Sequence, residues 1–108
     1  MLSGLRFIPQ SRDTGTGTLD LKTGIFIYDG TPGTFHEWEF RTLAKVEGFE
    51  QANKWDDLRL LGSKLLDGLR GEAYRVAKYF GIPNLSEVDG VKKLVERMRE
   101  AVFPYKKE

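Results

Sequence analysis

The sequence predicts an all-α fold, a compact bundle of about four to five helices behind an extended N-terminal segment that could pair as a hairpin. Apolar residues recur at intervals of three and four between residues 35 and 103, which is the spacing of one helix face. Gly and Pro interrupt this pattern, and the short links that result favour antiparallel neighbouring helices. The 108 residues match the size of one domain, and a hydrophobic content of 40% suffices for one modest core.

Composition divides the chain into three parts. Residues 1–24 are rich in Gly and Thr, which is typical of a flexible arm. Residues 25–103 carry the helical periodicity and form the lobe, and residues 104–108 have the composition of the start of a linker. The lobe opens with four consecutive apolar residues, 25–28. Because burying large apolar side chains is favourable, we expect this run to pack against the helices.

The first predicted helix spans residues 35–47. Thr34 precedes it as an N-cap, and Glu37 three residues later completes a capping box, in which each side chain accepts a backbone N–H at the helix start. Gly48 follows the last periodic residue and is predicted to end the helix, since Gly is the usual residue just past a helix C-terminus.

The second predicted helix spans residues 53–67 and carries leucines at helical spacing. Gly62 lies inside it and weakens it by about 1 kcal/mol relative to Ala. We therefore expect a close helix crossing at this position. The third predicted helix spans residues 71–80, where small and apolar residues form a narrower stripe.

Two features separate the third helix from a fourth. Gly81 and Pro83 are predicted to stop the third helix. Ser86 is then predicted to cap the fourth helix, with Asp89 three residues later, and Pro104 ends it. The apolar face of this last helix is broad, and the shorter helices are expected to leave part of it uncovered.

The apolar stripes of the predicted helices indicate two groups of candidate residues, one for the core and one for an interface. Large residues at the centre of the stripes are candidate core anchors, namely Tyr28, Phe35, Trp38, Leu61, Leu65 and Phe80. Residues on the broad last helix or at element ends are candidate interface residues, since aromatic side chains at exposed edges often anchor interfaces, and they are Trp55, Val95, Met98, Phe103 and Tyr105. The alternative is that Val91, Val95 and Met98 all simply belong to the core.

Charge and hydropathy exclude several classes of partner. The chain has 17 basic and 16 acidic residues, a net charge of +1, which argues against nucleic-acid binding driven by whole-domain charge. No apolar run reaches the roughly 18 residues that a membrane span needs, so no membrane partner is expected. The N-terminus lacks the basic start and apolar centre of a signal peptide, and a cytoplasmic location is predicted.

No combination of residues predicts catalysis. Asp13-Thr14-Gly15 matches the tripeptide of aspartic proteases, but the surrounding sequence lacks the apolar strands that position such a carboxylate pair. His36 is the single histidine, and its neighbours do not give the spacing of a helical metal pair. We expect no enzymatic activity, no cofactor, no metal site and no small-molecule substrate.

Two segments of the lobe carry a family resemblance. The first reads Phe26-Ile27-Tyr28-Asp29-Gly30 and is followed on the first helix by Phe35 and Trp38. The second opens the third helix as Leu69-Arg70-Gly71-Glu72-Ala73. In this order and spacing, residues 25–103 resemble the N-terminal capsid lobe of Gag proteins from LTR retrotransposons.

The resemblance implies a structural, self-assembling protein that forms part of a virus-like particle around the element's RNA. It implies weak contacts between copies of the chain, and contact with RNA only indirectly, through flanking regions that this sequence lacks. A second hypothesis is a helical adaptor that binds peptides or partner proteins, such as a domesticated capsid lobe. Neither composition nor helix pattern separates these two hypotheses.

Overall fold

The computed structural model describes residues 16–104, and within them it confirms the all-α class. Within this range, five α-helices and one short 3-10 helix follow one another, and β pairing is confined to two isolated bridges. The helices are α1 (Pro32–Gln51), α2 (Trp55–Leu65), α3 (Gly71–Phe80), α4 (Ile82–Leu85) and α5 (Gly90–Val102), with the 3-10 helix Leu66–Gly68 between α2 and α3. The Asp13-Thr14-Gly15 tripeptide and Tyr105 lie outside the described residues.

The segment before α1 forms a short hairpin. Ile27 N–H donates to Thr18 O at 2.7 Å, and Asp20 N–H donates to Ile25 O at 2.8 Å. The Asp20 carboxylate closes the turn by accepting backbone N–H groups from the two residues at its tip. The hairpin therefore includes residues on both sides of position 24, where the composition of the chain changes.

Helix α1 is longer than the sequence pattern predicts at both ends. It begins at Pro32, whose fixed φ and missing N–H suit the first turn of a helix. The predicted capping box is wrong, because Thr34 lies inside the helix and Thr31 occupies the N-cap position without a side-chain cap. The predicted stop at Gly48 is also wrong. Continuation through Gly costs only about 1 kcal/mol, and Phe49 beyond it packs on the core.

Gly62 lies at a close crossing, as predicted. A Cβ atom placed there would lie 2.7 Å from Leu85 O and 3.0 Å from Leu85 Cβ, so α2 and α4 touch through the space that Gly leaves. Helix α2 begins at Trp55 and ends at Leu65. Residues 66 and 67, which the sequence pattern placed at the end of this helix, belong to the 3-10 helix instead. Helix α3 has the bounds that the sequence predicts.

The link between α3 and α5 differs from the prediction. Gly81 ends α3 with φ of +92°, a conformation that other residues rarely adopt. Pro83 does not stop a helix but lies in the first turn of α4, where Pro is tolerated. Ser86 follows α4 and does not cap α5, which begins at Gly90. The fully buried Leu85 explains this extra turn, because it anchors the link to the core.

The core consists of two adjacent groups of buried side chains. The larger one joins the hairpin to α1, α3, α4 and α5, and contains Phe26, Tyr28, Phe35, Trp38, Leu69, Ala73, Ala77, Phe80, Leu85, Leu94, Val95 and Met98. The smaller one joins α1, α2 and α5, and contains Val46, Leu58, Leu61, Leu65 and Val91. Helices α1 and α5 contribute to both groups, so they hold the two halves of the bundle together.

Candidate interaction surface

Tyr28 connects the hairpin to the helices through its side chain. Its ring stacks on Trp38 with centroids 5.2 Å apart and planes 17° apart, and Phe35 packs at 6.2 Å from Tyr28 and 6.0 Å from Trp38. The phenol donates to Thr31 O at 3.0 Å. Burial, assisted by the negative charge of Asp29, raises the pKa of Tyr28 well above its usual value. The phenol is therefore a neutral donor that holds the entry to α1.

The Tyr28 backbone ties the hairpin to the corner between α2 and α3. Tyr28 N–H donates to Gly68 O at 2.9 Å, and Tyr28 O accepts from Arg70 N–H at 2.9 Å. This exchange forms a parallel bridge with Leu69. Both backbone polar groups of the buried Tyr28 thus have hydrogen-bond partners at the α2–α3 corner. Buried backbone N–H and C=O groups need such partners, because leaving them unpaired is costly.

The turn at Asp29 and Gly30 is shaped to approach α3. A Cβ atom on Gly30, whose φ is +99°, would lie 3.1 Å from Ala73 N. Partial burial pushes the pKa of Asp29 upward, but hydrogen bonds from Thr31 and Thr16 outweigh it and leave the pKa below the usual value. The carboxylate accepts the Thr31 N–H at 3.0 Å and also the Thr31 hydroxyl. Its role in this geometry is to fix the turn.

The structure gives the burial of the candidate core anchors and of the candidate interface residues. All six candidate anchors are buried, and they are Tyr28, Phe35, Trp38, Leu61, Leu65 and Phe80. Val95 and Met98 are 2% and 0% exposed, so assigning them to an interface was wrong. The sequence pattern underestimated how fully α5 is covered, since α1 and α3 both pack along it.

The two other interface candidates that the structure describes, Trp55 and Phe103, are partly accessible. Trp55 begins α2 and is 41% exposed. Phe103 follows α5 and is half-buried, with its ring edge-on to Phe35 at 5.6 Å and stacked on His36 at 5.8 Å. Phe103 therefore closes one end of the larger core group while keeping part of its ring accessible.

Several exposed apolar side chains were missed from the sequence. Phe40 is 72% exposed on the outer face of α1, where it lines a groove with Leu43 and Ala44 between two glutamates. Tyr79 is 86% exposed at the end of α3. The signal for Phe40 was present, because it lies off the buried stripe of α1 and so falls on the solvent face.

Open grooves of similar volume, from about 420 to 490 Å³, mark the surface of residues 16–104. Their chemistry distinguishes them. The groove beside Phe40 is flanked by acidic side chains, whereas the groove between the hairpin, α1 and α2 contains Lys45, Lys54 and Lys64 over an apolar floor. The same bundle therefore presents local surfaces of opposite charge although the whole chain is nearly neutral.

The described residues contain no cluster of three or more metal-ligating side chains. His36 is exposed and lies 3.4 Å from Glu39, as an i,i+3 pair on α1. No helix in residues 16–104 is long and apolar enough to cross a bilayer. The arrangement offers packing surfaces and charged grooves for binding.

Comparison with protein-family models, curated proteins and solved structures finds no significant match to this chain.

Proposed function

We propose that this chain is a structural, non-enzymatic capsid domain of the retrotransposon Gag type that assembles with copies of itself in the cytoplasm. Element RNA is then enclosed by the assembled shell, and direct RNA contacts are made by flanking regions. In this proposal each contact between copies is weak, and repetition over many copies supplies the stability of the shell.

One observation carries this proposal: the two segments that resemble Gag capsids meet in space. Tyr28 exchanges two backbone hydrogen bonds with the residues around Leu69, and a Cβ atom on Gly30 would lie 3.1 Å from Ala73 N. Residues far apart in the sequence thus form one joint, in which the positive φ and close approach of Gly30 favour Gly. A chance match of two unrelated short motifs would not require them to be adjacent.

The exposed apolar side chains supply surfaces for self-association. Phe40 and its neighbours form an apolar spot on α1, bordered by Glu39 and Glu47. Aromatic side chains at the centre of a small patch with a polar rim are frequent anchors of protein interfaces. We expect this spot to be one of the contacts between copies.

Sedimentation across a wide concentration range tests self-association. The weight-average mass of the 108-residue chain should rise toward millimolar concentration, and Phe40→Glu should suppress that rise. Leu21→Glu is the matched control, since Leu21 is fully exposed in the hairpin turn. A strict monomer at millimolar concentration, together with failure of the full-length parent protein to form particles, would overturn the capsid proposal.

The adaptor hypothesis has separate support. The groove with three lysines has an apolar floor and a volume of about 490 Å³, within the usual range of ligand-binding clefts. We therefore keep peptide binding as the second candidate function.

A further inference from the structure

We propose that the groove between the hairpin, α1 and α2, here called the lysine groove, binds an acidic peptide segment that inserts one aliphatic side chain. The groove is defined by Lys45, Lys54 and Lys64 around a floor that includes Ile25, Phe49 and Leu61. This inference specifies the ligand of the adaptor alternative and does not depend on capsid assembly.

The charge of the groove is uncompensated. Its three lysines are solvent-exposed, and within residues 16–104 none of them forms an ion pair. None of the described residues that line the groove is Asp or Glu. By contrast, Lys92 pairs with Glu50 at 2.9 Å and Lys93 with Asp89 at 3.3 Å. Three unpaired cations converging on one groove favour a ligand with several carboxylates.

The floor of the groove accepts an apolar group. Leu61 is buried there, and Ile25 and Phe49 are half-buried. Gly48 borders the floor, and a Cβ atom at this position would meet no heavy atom within 4 Å. Because Gly48 has no side chain, the side of the groove formed by α1 is open beside Lys45. This space can hold an aliphatic side chain of a ligand.

The same features favour a peptide over a nucleic acid. Single-stranded nucleic acids bind to exposed aromatic rings on which bases stack, together with basic residues along the backbone. Phe49 is the one aromatic residue among the described residues that line the groove, and it packs against the smaller core group. An aliphatic side chain flanked by carboxylates fits both the floor and the lysines.

The test measures fluorescence polarisation of a labelled synthetic peptide that carries one leucine between pairs of glutamates. The probe is titrated with the 108-residue chain. The groove variant K45Q/K54Q/K64Q and the control variant K78Q/K92Q/K93Q each remove three positive charges from exposed lysines. Because each exposed charge pair contributes modestly, the groove variant should bind about 10-fold more weakly, whereas the control should change less than about 2-fold.

A second arm tests the apolar floor without changing charge. Gly48→Leu should fill the opening and weaken peptide binding several-fold while the helix remains formed by circular dichroism. Replacing the leucine of the probe by alanine should weaken its binding to the unmodified chain similarly and make little difference to the Gly48→Leu variant. Equal weakening of both probes by Gly48→Leu would contradict an inserted side chain.

Three results would overturn the inference. The first is no polarisation change at millimolar protein, and the second is equal loss in the two triple variants. The third is displacement of the peptide by a poly-uridine oligonucleotide of equal charge at lower concentration than unlabelled peptide. Sedimentation of the groove variant distinguishes peptide binding from capsid assembly. If the variant still self-associates but does not bind the peptide, both proposals are supported. If it no longer self-associates, the groove is a contact between copies instead.

Discussion

Trp38 contacts both Tyr28 and Phe35, so it links the hairpin to α1 at the level of single side chains. Emptying a buried aromatic site typically costs about 3–5 kcal/mol in the free energy of unfolding. We expect Trp38→Ala to lower the stability by this amount in denaturant unfolding. Tyr79→Ala is the control, since Tyr79 is almost fully exposed and its removal should leave the midpoint nearly unchanged. An unaltered midpoint for Trp38→Ala would refute its role as an anchor.

Asp29 makes stability depend on acid pH. Its folded-state pKa lies below the usual value of 3.8, so its contribution to stability is fully present above that usual, unfolded-state value and is lost as the pH falls through the folded-state pKa. Asp20 behaves alike, because hydrogen bonds from the backbone of Thr23 and Lys22 lower its pKa. We expect Asp29→Asn to lose less stability than the unmodified chain between about pH 5 and pH 2.

Thermal unfolding across that range checks this expectation. The control is Asp56→Asn, because the Asp56 side chain is almost fully exposed and pairs only with Arg59 on the same helix. A weaker pH dependence of stability in Asp29→Asn but not in Asp56→Asn would attribute the acid sensitivity to the Asp29 turn. Parallel curves for the unmodified chain and Asp29→Asn would show that the Asp29 turn does not contribute to acid sensitivity.

At the scale of elements, two helical glycines have opposite roles. Gly62 lies against Leu85, so Gly62→Ala should force α2 and α4 apart and cost about 1–3 kcal/mol. Gly48 lies in an open part of α1, so Gly48→Ala should stabilise the protein by about 0.5–1 kcal/mol through helix propensity. Chemical denaturation of the two variants compares the same substitution in two surroundings. The same sign of change in both would contradict the crossing at Gly62.

Element boundaries show what periodicity can and cannot predict. The bounds of α3 agree with the sequence because Gly71 and Gly81 both adopt positive φ and mark its two ends. The capping signals at Thr34 and Ser86 failed because an earlier Pro begins α1 and because Leu85 is drawn into the core to form α4. Local preferences of about 1 kcal/mol are overridden where burial of a large side chain contributes more.

At the scale of the whole molecule, the two core groups should unfold together. They share helices α1 and α5, so neither half can lose its packing alone. Leu58→Ala, in the smaller group, should cost about 2–5 kcal/mol and shift the far-UV and near-UV circular dichroism transitions equally. Leu21→Ala in the exposed hairpin turn is the control. Separate midpoints for the two signals would show that the halves are independent.

The distribution of charge also belongs to this scale. A net charge of +1 predicts no strong attraction for polyanions. The fold nevertheless brings Lys45, Lys54 and Lys64 to one groove while glutamates border Phe40 on α1. The candidate binding sites are therefore made by folding, and the composition of the chain conceals them.

The sequence by itself determined the helical class, the central stripes of the helices and the aromatic residues that anchor them, because these depend on periodicity and on short-range preferences. Trp38, Leu61 and Phe80 were identified in this way, and all three are buried. Only the tertiary structure decided which sides of α5 are covered, so that Met98 became core, and which distant residues share a surface. The physical reason is that burial and local charge depend on how the helices pack against one another. The spacing of apolar residues along one helix does not specify that packing.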